Sequence, residues 1–89
     1  MIEKQVQIIN KLGLHARAAA KFVTLASTFS CEVYLIKDHQ KVNGKSIMGV
    51  MMLAASKGTD LTISTAGEDE EKASQELDVL IQNRFGEEE

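Results

Sequence analysis

The sequence predicts an α+β domain in the order βαββαβα, with three helices lying together on one face of a single sheet. Two periodicities lead there. Four short segments alternate apolar and polar residues, and three longer ones repeat apolar residues at helical spacing. The alternation also means that one sheet face is covered and the other wet. With 89 residues, the chain is long enough for one core and one domain, residues 1–89, and too short for a second.

The first segment, "IEKQVQIIN", sets Ile2, Val6 and Ile8 on one side and Glu3, Gln5 and Gln7 on the other, as a half-buried strand does. From Ala16 to Ser27 the period changes, and Ala19, Phe22, Val23 and Ala26 form the core stripe of a helix. "CEVYLIK" returns to alternation, with Cys31, Val33 and Leu35 on one face; "KDHQK" turns the chain into a shorter strand at Gln40 to Asn43. In "NGKS", Ser46 is a good N-cap for the run "IMGVMMLAASKG", expected to stop at Gly58 as a helix C-terminus does. "DLTISTA" is the fourth strand, with Leu61 and Ile63 inward. "GEDEEK" opens the last helix, whose Ala73, Leu77, Leu80 and Ile81 point to the core and whose acidic residues, Glu68 to Glu71, suit a partly positive helix start. Arg84 and Gly86 suit its other end, and residues 87–89 are expected to fray.

Apolar residues make up 44% and charged residues 26%, values of a globular chain rather than a disordered one. No apolar run approaches the roughly 20 residues that span a bilayer, and "IEKQVQI" follows Met1 without a basic region or cleavage site. Cytoplasmic residence without membrane insertion is the expectation. The single cysteine, Cys31, excludes an intrachain disulfide and a thiolate-rich metal site. His39 stands in a predicted turn without a companion ligand, so neither metal nor cofactor is expected. The net charge of −3 is unevenly spread: residues 1 to 50 carry seven Lys/Arg against three Asp/Glu, and residues 51 to 89 carry three against ten. The basic half holds His15, which suits an acidic partner surface or an anionic group, although both charge sets also simply keep a surface solvated.

In "GLHARAAAKF", His15 stands where Ser, Thr, Asp or Asn usually caps a helix. At that position the first backbone N–H groups, those of Ala16 and Arg17, point toward whatever the ring carries, and a helix start is a ready anion site. A neutral imidazole offers a lone pair for attack, and the Arg17 guanidinium can move onto phosphoryl oxygens. The bland reading is that His15 merely caps the helix. No acidic residue lies between Lys4 and Ser30 to make it part of a hydrolytic triad.

In "NGKSIMGVMML", Val50 and Leu53 can face the sheet, which leaves Ile47, Met48 and Met51 wholly or partly outside. Exposed methionines adapt to differently shaped partners, while the alternative is that they complete the core under a loop. A phosphate on Ser46 would suit the helix dipole and place roughly 1.5 to 2 negative charges beside that patch. The full nucleotide-binding pattern G-x-x-x-x-G-K-[ST] is absent.

As a set, "NKLGLHAR", "NGKSIMGVMMLAASKG" and "GEDEEKA" resemble the HPr family, the histidine-containing phosphocarriers of the bacterial phosphoenolpyruvate-dependent phosphotransferase system, over essentially the whole chain. The resemblance implies an open-faced β-sandwich with a four-stranded antiparallel sheet. It implies that His15 takes a phosphoryl group on Nδ1 from phosphorylated enzyme I and hands it to an EIIA-type domain, with Arg17 assisting, so that the chain is a stoichiometric carrier rather than an enzyme. Ser46 matches the site of HPr kinase/phosphorylase. Ile47, Met48 and Met51 match the docking patch, to which Ala20 and Thr24 of the first helix are added. A monomer without nucleic-acid partners is expected. Where the family usually continues "HARP", this chain has Ala18, which is expected to alter transfer kinetics slightly. Other readings are a carrier in a nitrogen-related regulatory phosphorelay, or a regulatory binding module controlled mainly through Ser46.

Overall fold

The computed structural model describes all residues, 1–89. Strand β1 (Ile2–Gln7) leads to helix α1 (Ala16–Ala26), strands β2 (Glu32–Lys37) and β3 (Gln40–Asn43), helix α2 (Ile47–Met52), strand β4 (Asp60–Ala66) and helix α3 (Glu70–Gln82), followed by a 3₁₀ turn over Arg84–Gly86. The sheet order is β1-β4-β2-β3 and every pairing is antiparallel. This is the α+β order that the alternation of periods predicts.

The central strands β4 and β2 supply Leu61, Ile63, Val33 and Leu35 to the core, each essentially without solvent contact. The helices meet them with Phe22, Val50, Leu53, Leu77 and Ile81, all buried. The opposite side of β1 keeps Glu3, Gln5 and Gln7 in water, so a one-residue slip would exchange the two faces. Lys4 points to the helix side and survives there at the margin through an ion pair with Asp78 of α3, at 3.3 Å.

The boundaries differ from the sequence expectation in four places. β1 ends at Gln7, because Ile8 leaves the β4 ladder register and bonds instead to the loop, accepting from Gly58 N–H at 2.7 Å and donating to Thr59 C=O at 2.9 Å. α2 ends at Met52 rather than near Gly58: its last turn tightens, Leu53 N–H bonding Val50 C=O, and Ala54 turns left-handed at φ 49°. That reversal lets the Ala55 carbonyl accept the Leu14 N–H at 2.8 Å. Leu80 is only partly buried, at the edge of the α3 stripe.

The fourth difference is the tail. Arg84 and Phe85 are left-handed at φ 55° and 54°, a conformation costing roughly 1–2 kcal/mol per non-glycine residue, and Gly86 follows at φ 80°. Burial of the Phe85 ring, 1% exposed, offsets that cost. The Lys21 ammonium of α1 donates to the Phe85 carbonyl at 2.6 Å. The chain therefore folds back toward the start of α1. Residues expected to fray are held there: Lys11 N–H donates to the Glu89 carbonyl, and the Lys11 and Glu89 side chains pair at 3.2 Å.

Candidate functional site

The loop before α1 is shaped by close packing. Gly13 sits at φ +69°, and a Cβ there would meet the Ala55 carbonyl oxygen at 2.5 Å, so only glycine lets this loop lie against residues 55 and 56. Asn10 is completely buried. Its amide donates to the Gly13 carbonyl at 2.8 Å and to Glu87 Oε1 at 3.0 Å. Leu14, also buried, anchors the next residue. His15 then emerges as the N-cap of α1 with extended backbone, φ −72° and ψ 175°, and a quarter of its side chain exposed.

The imidazole makes no bond to its own helix. The first intrahelical bond runs from Ala19 N–H to the His15 carbonyl, so the N–H groups of Ala16, Arg17 and Ala18 have no helical acceptor. Ala18, the departure from the family's proline, is fully buried and continues the helix smoothly. Instead of capping, the ring turns to the tail: His15 Nε2 pairs with Glu87 Oε2. Burial pushes the Glu87 carboxyl up, but hydrogen bonds from Asn10 and His15, with the electrostatic pull of His15 and Lys21, together hold it below the usual value of 4.5. Arg17 is exposed and forms one wall of an open cleft whose other walls include Lys11, Leu12 and the tail carboxylates.

The remaining predicted residues fall on two surfaces. On α1, Ala20 and Thr24 line a shallow depression with Arg17, Lys21, Leu25 and Leu80. On α2, Ile47, Met48 and Met51 are 45%, 74% and 40% exposed, and Met52, unforeseen, is 66% exposed, while Val50 and Leu53 are buried as expected. α1 packs against both α2 and α3, and Leu80 of α3 closes one side of the α1 depression. Ser46 caps α2, its Oγ accepting the Gly49 N–H at 3.1 Å.

His39 is exposed in the β2–β3 turn, and nowhere do three or more His, Cys, Asp or Glu side chains come together so as to hold a metal ion. Cys31 is buried, and that burial, followed by the nearby Asp69, pushes its thiol up and away from reactive thiolate character. No helix is long and apolar enough to cross a membrane. Two participants escaped the sequence reading, Asn10 and Glu87. The available signal was Phe85: a large apolar residue beside a turn glycine near the end of a chain must bury itself, and the residues after it are then tied down too.

Fold and site together define a small phosphocarrier domain: the family model described as the PTS HPr component phosphorylation site matches residues 2–83. The phosphocarrier protein HPr of Neisseria meningitidis serogroup A is 54% identical over 87 residues, covering 98% of both chains. That of Pseudomonas aeruginosa is 56% identical over 84 residues, covering 93% of both. The crystal structure of HPr-C-His from Thermoanaerobacter tengcongensis superposes with a TM-score of 0.96 at 50% identity, covering 100% of both chains. The chain belongs to the HPr family of phosphocarrier proteins, which are carriers rather than enzymes.

Proposed function

We propose that this chain accepts a phosphoryl group on His15 Nδ1 from phosphorylated enzyme I and passes it to an EIIA-type domain in the cytoplasm, as a monomer serving sugar uptake. One observation supports the reading: the imidazole at the start of α1 has no capping duty, at a helix start where the exposed residues Ala16 and Arg17 have backbone amides without helical acceptors and Arg17 carries an exposed guanidinium. The Nδ1 lone pair attacks phosphorus as the donor's P–N bond breaks, and the bonding pair returns to the donor's nitrogen. Free amides and Arg17 then bind the phosphoryl oxygens by charge-assisted hydrogen bonds. Ala20, Thr24, Ile47, Met48 and Met51 form the docking surface.

Ser46 is the regulatory site, modified by HPr kinase/phosphorylase. Its phosphate oxygens can take over the Gly49 N–H at a helix start that favours anions, while the added charge beside Ile47 and Met48 weakens docking to acidic partners. To test the carrier reading, the protein is incubated with enzyme I and phosphoenolpyruvate and its intact mass is followed. An acid-labile adduct of one phosphoryl group is expected with the wild type and none with His15→Ala; an adduct on His15→Ala overturns the assignment.

A further inference from the structure

We propose that Glu87, held in place by Asn10, is a positioning residue for phosphoryl transfer: it fixes the His15 tautomer that presents Nδ1 and balances the charge of the phosphorylated ring. The proposal rests on His15 being the phosphoryl acceptor. Its geometry is a relay across the chain's two ends. Asn10 is fully buried and its amide holds Glu87 Oε1 at 3.0 Å, which leaves Oε2 for His15 Nε2. The Glu87 side chain is only 15% exposed, so this is a built contact rather than a surface encounter.

An ionised carboxylate can only accept hydrogen bonds, so a ring nitrogen facing it must carry the proton. With Nε2–H donating to Glu87 Oε2, a neutral ring holds its lone pair on Nδ1. Phosphorus then bonds to Nδ1 while the Nε2 proton stays where it is, and the phosphorylated ring is a cation adjoining the carboxylate. No proton has to move in either direction of transfer. The buried Asn10 Oδ1 has no hydrogen-bond partner, a cost that an aliphatic residue would avoid. The two bonds donated by the same amide are what the position gains in return. Arg17 lines the same open cleft as Glu87, exposed and without an ion-pair partner, and so is available to phosphoryl oxygens.

The test uses full-length wild type, Glu87→Ala and, as a tail-charge control, Glu88→Gln. Long-range ¹H–¹⁵N spectra of the unphosphorylated protein report the ring tautomer without any transfer reaction. The Nε2–H form is expected to dominate in wild type and Glu88→Gln, and to give way to a tautomer mixture in Glu87→Ala. With enzyme I as catalyst, Glu87→Ala is expected to accept phosphate about tenfold more slowly, the scale of one lost charge-assisted hydrogen bond, through kcat rather than KM. An unchanged tautomer in Glu87→Ala, or equal slowing in Glu88→Gln, overturns the role of Glu87. Failure of the carrier reading is seen separately, as a wild type that takes no phosphate on His15 whatever its tautomer.

Discussion

At the start of α2 the Ser46 hydroxyl accepts the Gly49 N–H of its own helix, whereas at the start of α1 the His15 ring leaves its helix unserved and reaches to Glu87 of the tail. The first arrangement stabilises a helix of six residues, too short to persist on cap or propensity alone. The second keeps amides uncommitted where an anion can use them. A third helix start, that of α3, is different again: the Asp69 carboxylate makes no bond to its helix but accepts the N–H groups of Ser30 and Cys31, both at 2.9 Å, clasping the loop before β2. One position in the helix thus does three jobs, and what decides among them is where the side chain's hydrogen bond goes.

The contrast can be broken most severely by exchanging the roles of the two phosphorylation candidates. His15→Ala is expected to abolish acceptance from enzyme I, and what stability it loses comes from the Glu87 bond rather than from a cap; the mass assay and thermal unfolding check both halves. Ser46→Ala leaves acceptance intact but loses about 1 kcal/mol, a drop of about 4–8 °C in Tm for a domain of this size. Ser46→Asp keeps a capping oxygen and is expected to stay within a few tenths of a kcal/mol of wild type. Partner binding should nonetheless weaken, which separates the cap from the charge.

Acid sharpens the comparison with Asp69. The Ser30 N–H holds its carboxyl below the usual value of 3.8; burial pulls the other way, and the hydrogen bonds from Cys31 add to the lowering. A carboxyl lowered by folding adds stability that is fully present above pH 3.8 and lost as pH falls below it through the folded-state value. Asp69→Asn should therefore be less stable than wild type near neutrality and show a shallower decline in Tm below that pH. The smallest effect is expected at Met48, 74% exposed: Met48→Ala should change stability by no more than about 0.5 kcal/mol, yet weaken binding to enzyme I several-fold in titration calorimetry.

The sheet and helices were legible because their periods are clean. Val33 and Leu35 alternate with Glu32 and Tyr34, and Phe22 and Val23 share a stripe with Ala19 and Ala26. The cap at Ser46 was legible too, since serine before an apolar run has one local use. The end of α2 was not, because Ala54 turns out of the helix so that the Ala55 carbonyl can accept the Leu14 N–H, a contact some forty residues away in sequence that no local propensity encodes. Of the candidate site, His15 and Arg17 could be read from one short motif. Asn10 and Glu87 could not: the absence of acidic residues near His15 in sequence pointed away from a carboxylate, and the chain's own end supplies one.

The most direct measurement is a through-bond ³¹P–¹⁵N correlation on the uniformly ¹⁵N-labelled protein after phosphorylation by enzyme I and phosphoenolpyruvate. A single coupling from phosphorus to His15 Nδ1, with Nε2 still protonated, is the predicted result. Coupling to Nε2, or to any residue other than His15, would contradict it.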